Sequence, residues 1–289
     1  MVAKFGFIVT VLLVGALQDS PNQPVQDDLA IFFEEPEERP DLSNQATNRI
    51  VGGSKAAEGS APYMVALTNG WLFQALLCGG SLISERHVLT AAHCIEAVYS
   101  RGSLSRYLRV TVGTNRWSTG GLTYRLARNV THQHYSSSLI KNDIGLLFTT
   151  TPVSLSKNVA PVALSGDFVG AGVEARAAGW GRTRRYGPIS ADLLELVVKT
   201  LDGQECVDEV KRLAEINNMR APHVEPQLEL CVFHSAGRGM CNGDSGSALV
   251  DVQNKTQIGV VSWGFPCALG APDIFTRVSA YKSWVEENL

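Results

Sequence analysis

Three short motifs carry residue types that could do chemistry together: a histidine in TAAHC (Thr90–Cys94), an aspartate in NDIGLL (Asn142–Leu147) and a serine in GDSGS (Gly243–Ser247). A serine hydroxyl is a poor nucleophile at neutral pH and needs a base to take its proton as it attacks. An imidazole, with an unperturbed pKa of about 6.5, can accept that proton and pass it to a leaving group. A carboxylate beside the imidazole fixes its tautomer and stabilises its cation. His93, Asp143 and Ser245 are therefore a candidate set for acyl transfer. Each motif alone is a weak signal, since a histidine after two alanines can be a core residue and a loop aspartate a cap.

Groups so far apart in sequence need a frame. The 289 residues could build one large or two medium domains, and a composition of 45% hydrophobic and 18% charged residues is ordinary for a globular chain. The net charge of −3 hides an asymmetry: residues 17–49 hold eight acids and two bases, whereas from Ile50 onward there are twenty acids and twenty-two bases. A near-neutral body gives no reason to expect nucleic acid as a partner. All six cysteines follow Ile50, which favours three disulfides in an exported chain. No CxxC or close His/Cys cluster suggests a metal, and no cofactor is expected. Counting alone leaves about fifteen disulfide pairings open.

The apolar run from Phe5 to Leu17 is too short for a membrane span of about 20 residues. With Val14 and Ala16 before the cut, residues 1–16 read as a signal peptide, the alternative being an uncleaved anchor. Secretion, with no membrane attachment, is the expectation. Residues 17–49 are rich in Asp, Glu, Gln, Asn and Pro and can bury little apolar surface. They read as a propeptide ending at a trypsin-sensitive Arg49, or as a spacer. Cleavage between Arg49 and Ile50 in NRIVGG would be the activation step.

From Ile50 the chain breaks into short β-favouring runs: Tyr63–Leu67, Ser81–Ile83, His87–Thr90, Leu108–Val112, Ile144–Phe148, Leu194–Thr200, Ser247–Val252 and Gln257–Trp263. This spacing predicts an all-β domain. Two helices interrupt it. One is expected after Asp202-Gly203-Gln204-Glu205, with Val207, Val210, Leu213 and Ala214 on one face. The other closes the chain, capped by Ser279, with Tyr281, Trp284 and Val285 on one face.

IVGG, CGGSLI, TAAHC, NDIGLL, GWG, GDSG and SWG follow one another from Ile50 to Gly264. In these motifs and their order, residues 50–289 resemble the chymotrypsin/trypsin family of serine proteases. The resemblance implies two six-stranded antiparallel β-barrels with a C-terminal helix and a cleft between them. The barrels would span about 50–164, supplying His93 and Asp143, and about 165–289, supplying Ser245. It implies a serine endopeptidase in which backbone N–H groups of Gly243 and Ser245 stabilise the oxyanion. It pairs Asp244 with the α-amino group of Ile50 freed by cleavage, and joins Cys78 to Cys94, Cys206 to Cys231 and Cys241 to Cys267. Its partners would be protein and peptide substrates, an activating trypsin-like protease and protein inhibitors, and the enzyme would be a monomer. Thr114 stands where calcium-binding relatives carry a glutamate, so no structural calcium is expected.

The substrate pocket departs from trypsin. Gly239 occupies the place of trypsin's anionic base, six residues before Ser245, and GAPDIFTRV puts Asp273 where glycine is common. Ser262, Trp263 and Gly264 keep the strand that pairs with extended substrate and an open pocket mouth. This combination resembles the arthropod brachyurin group and insect chymotrypsins. It implies a preference for large apolar residues, with Arg or Lys secondary, and a digestive role. The other reading turns Asp273 to the surface. Rival functions are a tryptic enzyme using Asp273, a regulatory-cascade protease, and a non-catalytic homologue, against which stands the intact triad. Ser247 and Ala248 replace the family's common Gly-Pro, and Arg182, Arg184 and Arg185 mark a solvated loop or a nicking site.

Overall fold

The computed structural model describes residues 50–265 and 267–289. The expected signal peptide, propeptide and Arg49 lie outside the described residues. The first half contains β1 (Ser54–Lys55), β2 (Met64–Asn69), β3 (Ala75–Leu82), β4 (His87–Thr90), α1 (Ala92–Glu96), β5 (Tyr99–Ser100), β6 (Ser103–Leu104), β7 (Arg109–Val112), β8 (Leu122–Thr131) and β9 (Gly145–Thr149). The second contains β10 (Ala163–Leu164), β11 (Glu174–Gly179), β12 (Leu194–Thr200), α2 (Gly203–Ile216), β13 (Glu229–Phe233), β14 (Ala248–Asp251), β15 (Thr256–Gly264), β16 (Asp273–Arg277) and α3 (Val278–Glu287).

Strands β2, β3, β4, β9, β8 and β7 close a six-stranded antiparallel barrel. A second six-stranded circuit runs β12, β11, β14, β15, β16, β13, and returns to β12 through Lys199↔Phe233 and Thr200↔Val232. The all-β fold of two barrels with a C-terminal helix is thus present. Sequence explains much of it. In β12, LELVVKT alternates in burial, as a half-buried strand should. In β2 the apolar run is continuous because both faces are covered. Val65 and Leu67 join the first barrel's core, while Met64 and Ala66 pack with Ala178, Trp180 and Ala248 of the second.

The ends of the described chain cross between barrels. Ser54 and Lys55 pair with β12 of the second barrel, whereas Val278, Tyr281 and Val285 of α3 pack into the core of the first. Helix α2 begins as expected, with the Asp202 carboxylate accepting from the N–H groups of Gln204 and Glu205. The expected Ser279 cap of α3 is corrected. The helix starts at Val278 straight out of β16, its N-cap is Arg277, and no side chain caps it. Arg277 is committed elsewhere, its guanidinium donating to the carbonyls of Val169, Pro226 and Glu229.

Candidate active site

His93 lies in α1, directly after β4, and Asp143 in the turn leading into β9. Because β4 and β9 are neighbours in the first barrel, with Thr90 opposite Gly145, the two side chains meet. His93 Nδ1 is 2.8 Å from Asp143 Oδ2, and the His93 backbone N–H donates to Oδ1 at 2.9 Å. Both residues are buried. The carboxylate also accepts from the Ser262 hydroxyl at 2.6 Å, and the Asp143 carbonyl accepts from Thr276 Oγ1 at 2.7 Å. Burial alone would raise the Asp143 pKa, but the charge and hydrogen bonds of His93 and the Ser262 bond hold it below the ordinary value. Burial would lower that of His93, and Asp143 overrides it to keep the imidazole above its ordinary value. This is an ionised carboxylate orienting a strengthened base.

Ser245 comes from the other barrel. Its carbonyl accepts the Gly79 N–H of β3 at 2.7 Å, and Gly79 in turn accepts from Thr90 Oγ1 at 2.9 Å. The turn is packed hard onto the histidine's segment. At Gly246, where φ is +78°, an added Cβ would lie 2.2 Å from Thr90 Oγ1 and 2.5 Å from the Gly79 carbonyl. Only glycine fits both that backbone and that gap. Among the described residues, no protein acceptor takes the N–H of Gly243 or Ser245. Two unspent donors beside a serine are what an oxyanion site requires.

The loop between them is anchored by Asp244. Its fully buried carboxylate accepts the N–H groups of Gly181 at 2.7 Å and Cys241 at 3.0 Å. Burial pushes its pKa up to about 7, against those two hydrogen bonds. No basic side chain among the described residues pairs with it. The chain at Ile50 packs on the segment that leads into this loop: Ile50 is fully buried in one core cluster with Met240, and the Gly239 N–H donates to the Val51 carbonyl at 3.0 Å. The disulfides are Cys78–Cys94, Cys206–Cys231 and Cys241–Cys267. The first pins α1 to β3, and the third ties the serine loop to the segment after β15. Cys78, Cys94 and His93 gather their sulfur and nitrogen atoms within 4.8 Å, but the sulfurs are bonded to each other and offer no thiolate.

Asp273 points inward. Its Oδ2 accepts the Met240 N–H at 2.9 Å and would lie 2.6 Å from a Cβ built on Gly239. Its Oδ1 would lie 3.3 Å from one built on Gly264. The carboxyl therefore sits between the two glycines, and the surface-facing alternative does not hold. Burial pushes its pKa up to about 8, the Met240 bond opposing and the nearby Asp244 adding to the rise.

Trp263 shows a support that the motifs did not reveal. Its Nε1 donates to Glu229 Oε1 at 2.9 Å, and the Glu229 Oε2 pairs with Lys141 Nζ at 2.7 Å. All three residues are buried, so the strand bearing Ser262 and Gly264 is tied to the residue two before Asp143. The carboxylate role of the Ser262 hydroxyl was equally hidden, because its partner is 119 residues away. A cavity of about 650 Å³ between α2 and residues 218–224 is lined by none of these residues.

The comparisons with known proteins agree with this geometry. The family model described as Trypsin matches residues 50–285. Chymotrypsin-2 of Vespa crabro is 35% identical over 240 residues, covering 83% of this chain and 99% of that protein. Serine protease 1 of Rattus norvegicus is 34% identical over 84% of this chain and 90% of its own length. Trypsin Blo t 3 of Blomia tropicalis is 31% identical over 96% and 95%. With a match running through both barrels and relatives aligned over nearly their whole length, the chain belongs to the trypsin family of serine proteases.

Proposed function

We propose that this serine protease is a secreted endopeptidase, made as a precursor, activated by cleavage after Arg49, and selective for large apolar residues on the acyl side of the cut bond. The observation that carries the catalytic assignment is the His93–Asp143 contact at 2.8 Å, with the Ser245 turn seated on the segment that bears His93. His93 takes the Ser245 proton as Oγ attacks the scissile carbonyl, and then protonates the leaving amine. The N–H groups of Gly243 and Ser245 receive the oxyanion, and water repeats the sequence to release the acid. Asp143 stays ionised throughout.

Activation follows from Asp244. A buried carboxylate without a cation is costly, and a new ammonium at Ile50 would supply its counter-charge and fix the oxyanion loop. The Gly239 and Gly264 opening, floored by Asp273, supports a wide pocket whose base carboxyl is shifted by burial toward its neutral form. Large apolar side chains suit it, and Arg or Lys would be secondary. Digestion of dietary protein is the role this breadth fits best.

A fluorophosphonate probe tests the reading. Labelling is expected after trypsin treatment of the wild type, and is expected to be lost in Ser245→Ala and in uncut Arg49→Gln. Strong labelling of the Arg49→Gln precursor would refute activation at that bond, and cleavage of peptide series confined to Arg and Lys would refute the apolar preference.

A further inference from the structure

The hairpin between β2 and β3 carries Trp71, Leu72 and Phe73 at its tip, exposed by 75%, 74% and 87%. Three consecutive large apolar side chains in water mark a surface that something covers. Beside the tip lies a cluster of cations. Thr68, three residues before Trp71, stands opposite Arg109 of β7, and Arg109 stands opposite Arg125 of β8. Ser105 Oγ, from the residue next to Arg106, donates to Asn69 Oδ1 at 2.9 Å. Among the described residues no carboxylate pairs with Arg106, Arg109 or Arg125. Like charges facing each other across a strand pair are unfavourable. The hairpin and its flank thus lack both an apolar cover and a counter-charge.

One stretch of this chain offers both, side by side. Between residues 17 and 49 the large apolar side chains gather in Leu29-Ala30-Ile31-Phe32-Phe33, and Glu34-Glu35-Pro36-Glu37-Glu38 follows directly. The stretch can reach the hairpin. The Val51 carbonyl accepts the Gly239 N–H at 3.0 Å, and Leu76 Cδ2 would lie 3.7 Å from a Cβ on Gly243. With the links from Gly239 to Gly243 and from Leu76 to Phe73 taken as fully extended, the tip is at most roughly 40 Å from Val51. The sixteen residues between Phe33 and Ile50 extend to about 55 Å. Tip and Arg109 are separated by roughly 10–15 Å along the strand, a distance that residues 34–38 span.

We propose that residues 29–38 of the propeptide dock on this hairpin, with residues 31–33 over the Trp71–Phe73 tip and the four glutamates against Arg106, Arg109 and Arg125. This rests on the reading above that residues 17–49 stay on the precursor until the cut after Arg49. While joined to the chain, the propeptide shields the tip. Once cut it is held by no covalent bond, since every cysteine follows Ile50, and it leaves at a dilution set by its own affinity. Activation thereby uncovers the tip.

The test uses the Ser245→Ala protein, cut after Arg49 by trypsin and freed of the released segment, so that a labelled synthetic peptide 17–49 is not itself cleaved. Fluorescence anisotropy is expected to give a Kd of about 1–100 μM. Trp71→Ser/Leu72→Ser/Phe73→Ser in the protein, or Ile31→Ser/Phe32→Ser/Phe33→Ser in the peptide, should weaken it about tenfold or more. Arg106→Ser/Arg109→Ser/Arg125→Ser should weaken it severalfold at low salt and remove its salt dependence. The uncut precursor gives a second readout. Amides of residues 70–74 should exchange severalfold more slowly in the wild type than in the precursor carrying the three propeptide serines. Peptide binding indifferent to both protein variants would overturn the docking, because the peptide would then sit elsewhere, the substrate pocket included. So would equal exchange in the two precursors. So would a tip variant that loses self-association or vesicle binding at unchanged peptide affinity, since the tip would then serve a second copy or a lipid surface. Failure of trypsin to cut after Arg49 would instead strike the activation reading, and the exchange comparison would still decide the docking.

Discussion

Asp273 and Ser247 are the two side chains whose chemistry departs furthest from what their surroundings reward. Asp273 is buried with one backbone hydrogen bond and its pKa is raised to about 8. Below that pH the pocket floor is a neutral acid, and above it an anion. The ratio of Arg/Lys to Phe/Leu cleavage is therefore expected to climb between about pH 7 and 9, measured on paired peptides that differ at one residue, and Asp273→Asn should flatten it. Ser247 is fully buried beside Gly79, and its Oγ is the one buried side-chain polar atom without a hydrogen-bond partner among the described residues. Leaving such a group unpaired costs about 1–3 kcal/mol. Ser247→Ala should raise the calorimetric Tm by roughly 2–4 °C for about 1 kcal/mol regained. At this scale the sequence was informative wherever function sits in a contiguous motif: His93, Asp143, Ser245 and the inward Asp273 could all be picked out. It was silent on partners that meet only through folding, such as Ser262 with Asp143.

Among the elements, regular alternation or apolar runs made β2, β4, β7, β9, β12, β14 and β15 readable. Only the end of β3 was legible, and β8, β11, β13 and β16 were not. The reasons are physical. In β8, LTYRLARNVT puts arginines among partly exposed positions, so its period-two signal is diluted. In β11, four of the six residues of EARAAG are alanine or glycine, poor strand formers, and Ala178 among them packs at the contact between barrels. In β16 every residue of DIFTR is buried, including Asp273 and Arg277, which composition would assign to a surface. Asp273 faces the pocket glycines, Arg277 holds three carbonyls of its own barrel, and other buried charges bridge the two barrels. The Lys141–Glu229–Trp263 chain is the clearest case, joining the loop before Asp143 to β15. Glu229→Ala would leave Lys141 buried without its partner, at a cost of about 3–5 kcal/mol. Urea unfolding should show that loss. The same variant is expected to raise KM for peptides that fill the acyl-side strand more than for a single-residue ester, and equal effects on both would mean Glu229 serves stability alone.

For the whole molecule, the proposed switch from precursor to enzyme has a thermodynamic signature. Asp244 has its pKa raised to about 7 without a cation. A carboxyl raised in the folded state contributes stability that is complete below its unfolded value of about 4 and is lost as pH climbs through about 7. Uncut Arg49→Gln should therefore lose Tm relative to cleaved wild type between about pH 4 and 7, because cleavage supplies the ammonium that restores the pair. Asp273 feels the Asp244 charge, so both forms are compared in an Asp273→Asn background to isolate Asp244. Parallel Tm curves would contradict the pairing.

The exposed residues around Arg184 and Tyr186 separate β11 from β12, and no disulfide spans them: one bridge closes before this loop and two close after it. The two sides are nevertheless laced together, since β1 pairs beyond the loop and α3 reaches back to the first barrel. A molecule severed there would keep migrating as one particle under native conditions. In detergent without any reductant it would fall into two fragments, so wear at this loop would stay invisible to size until the protein was denatured.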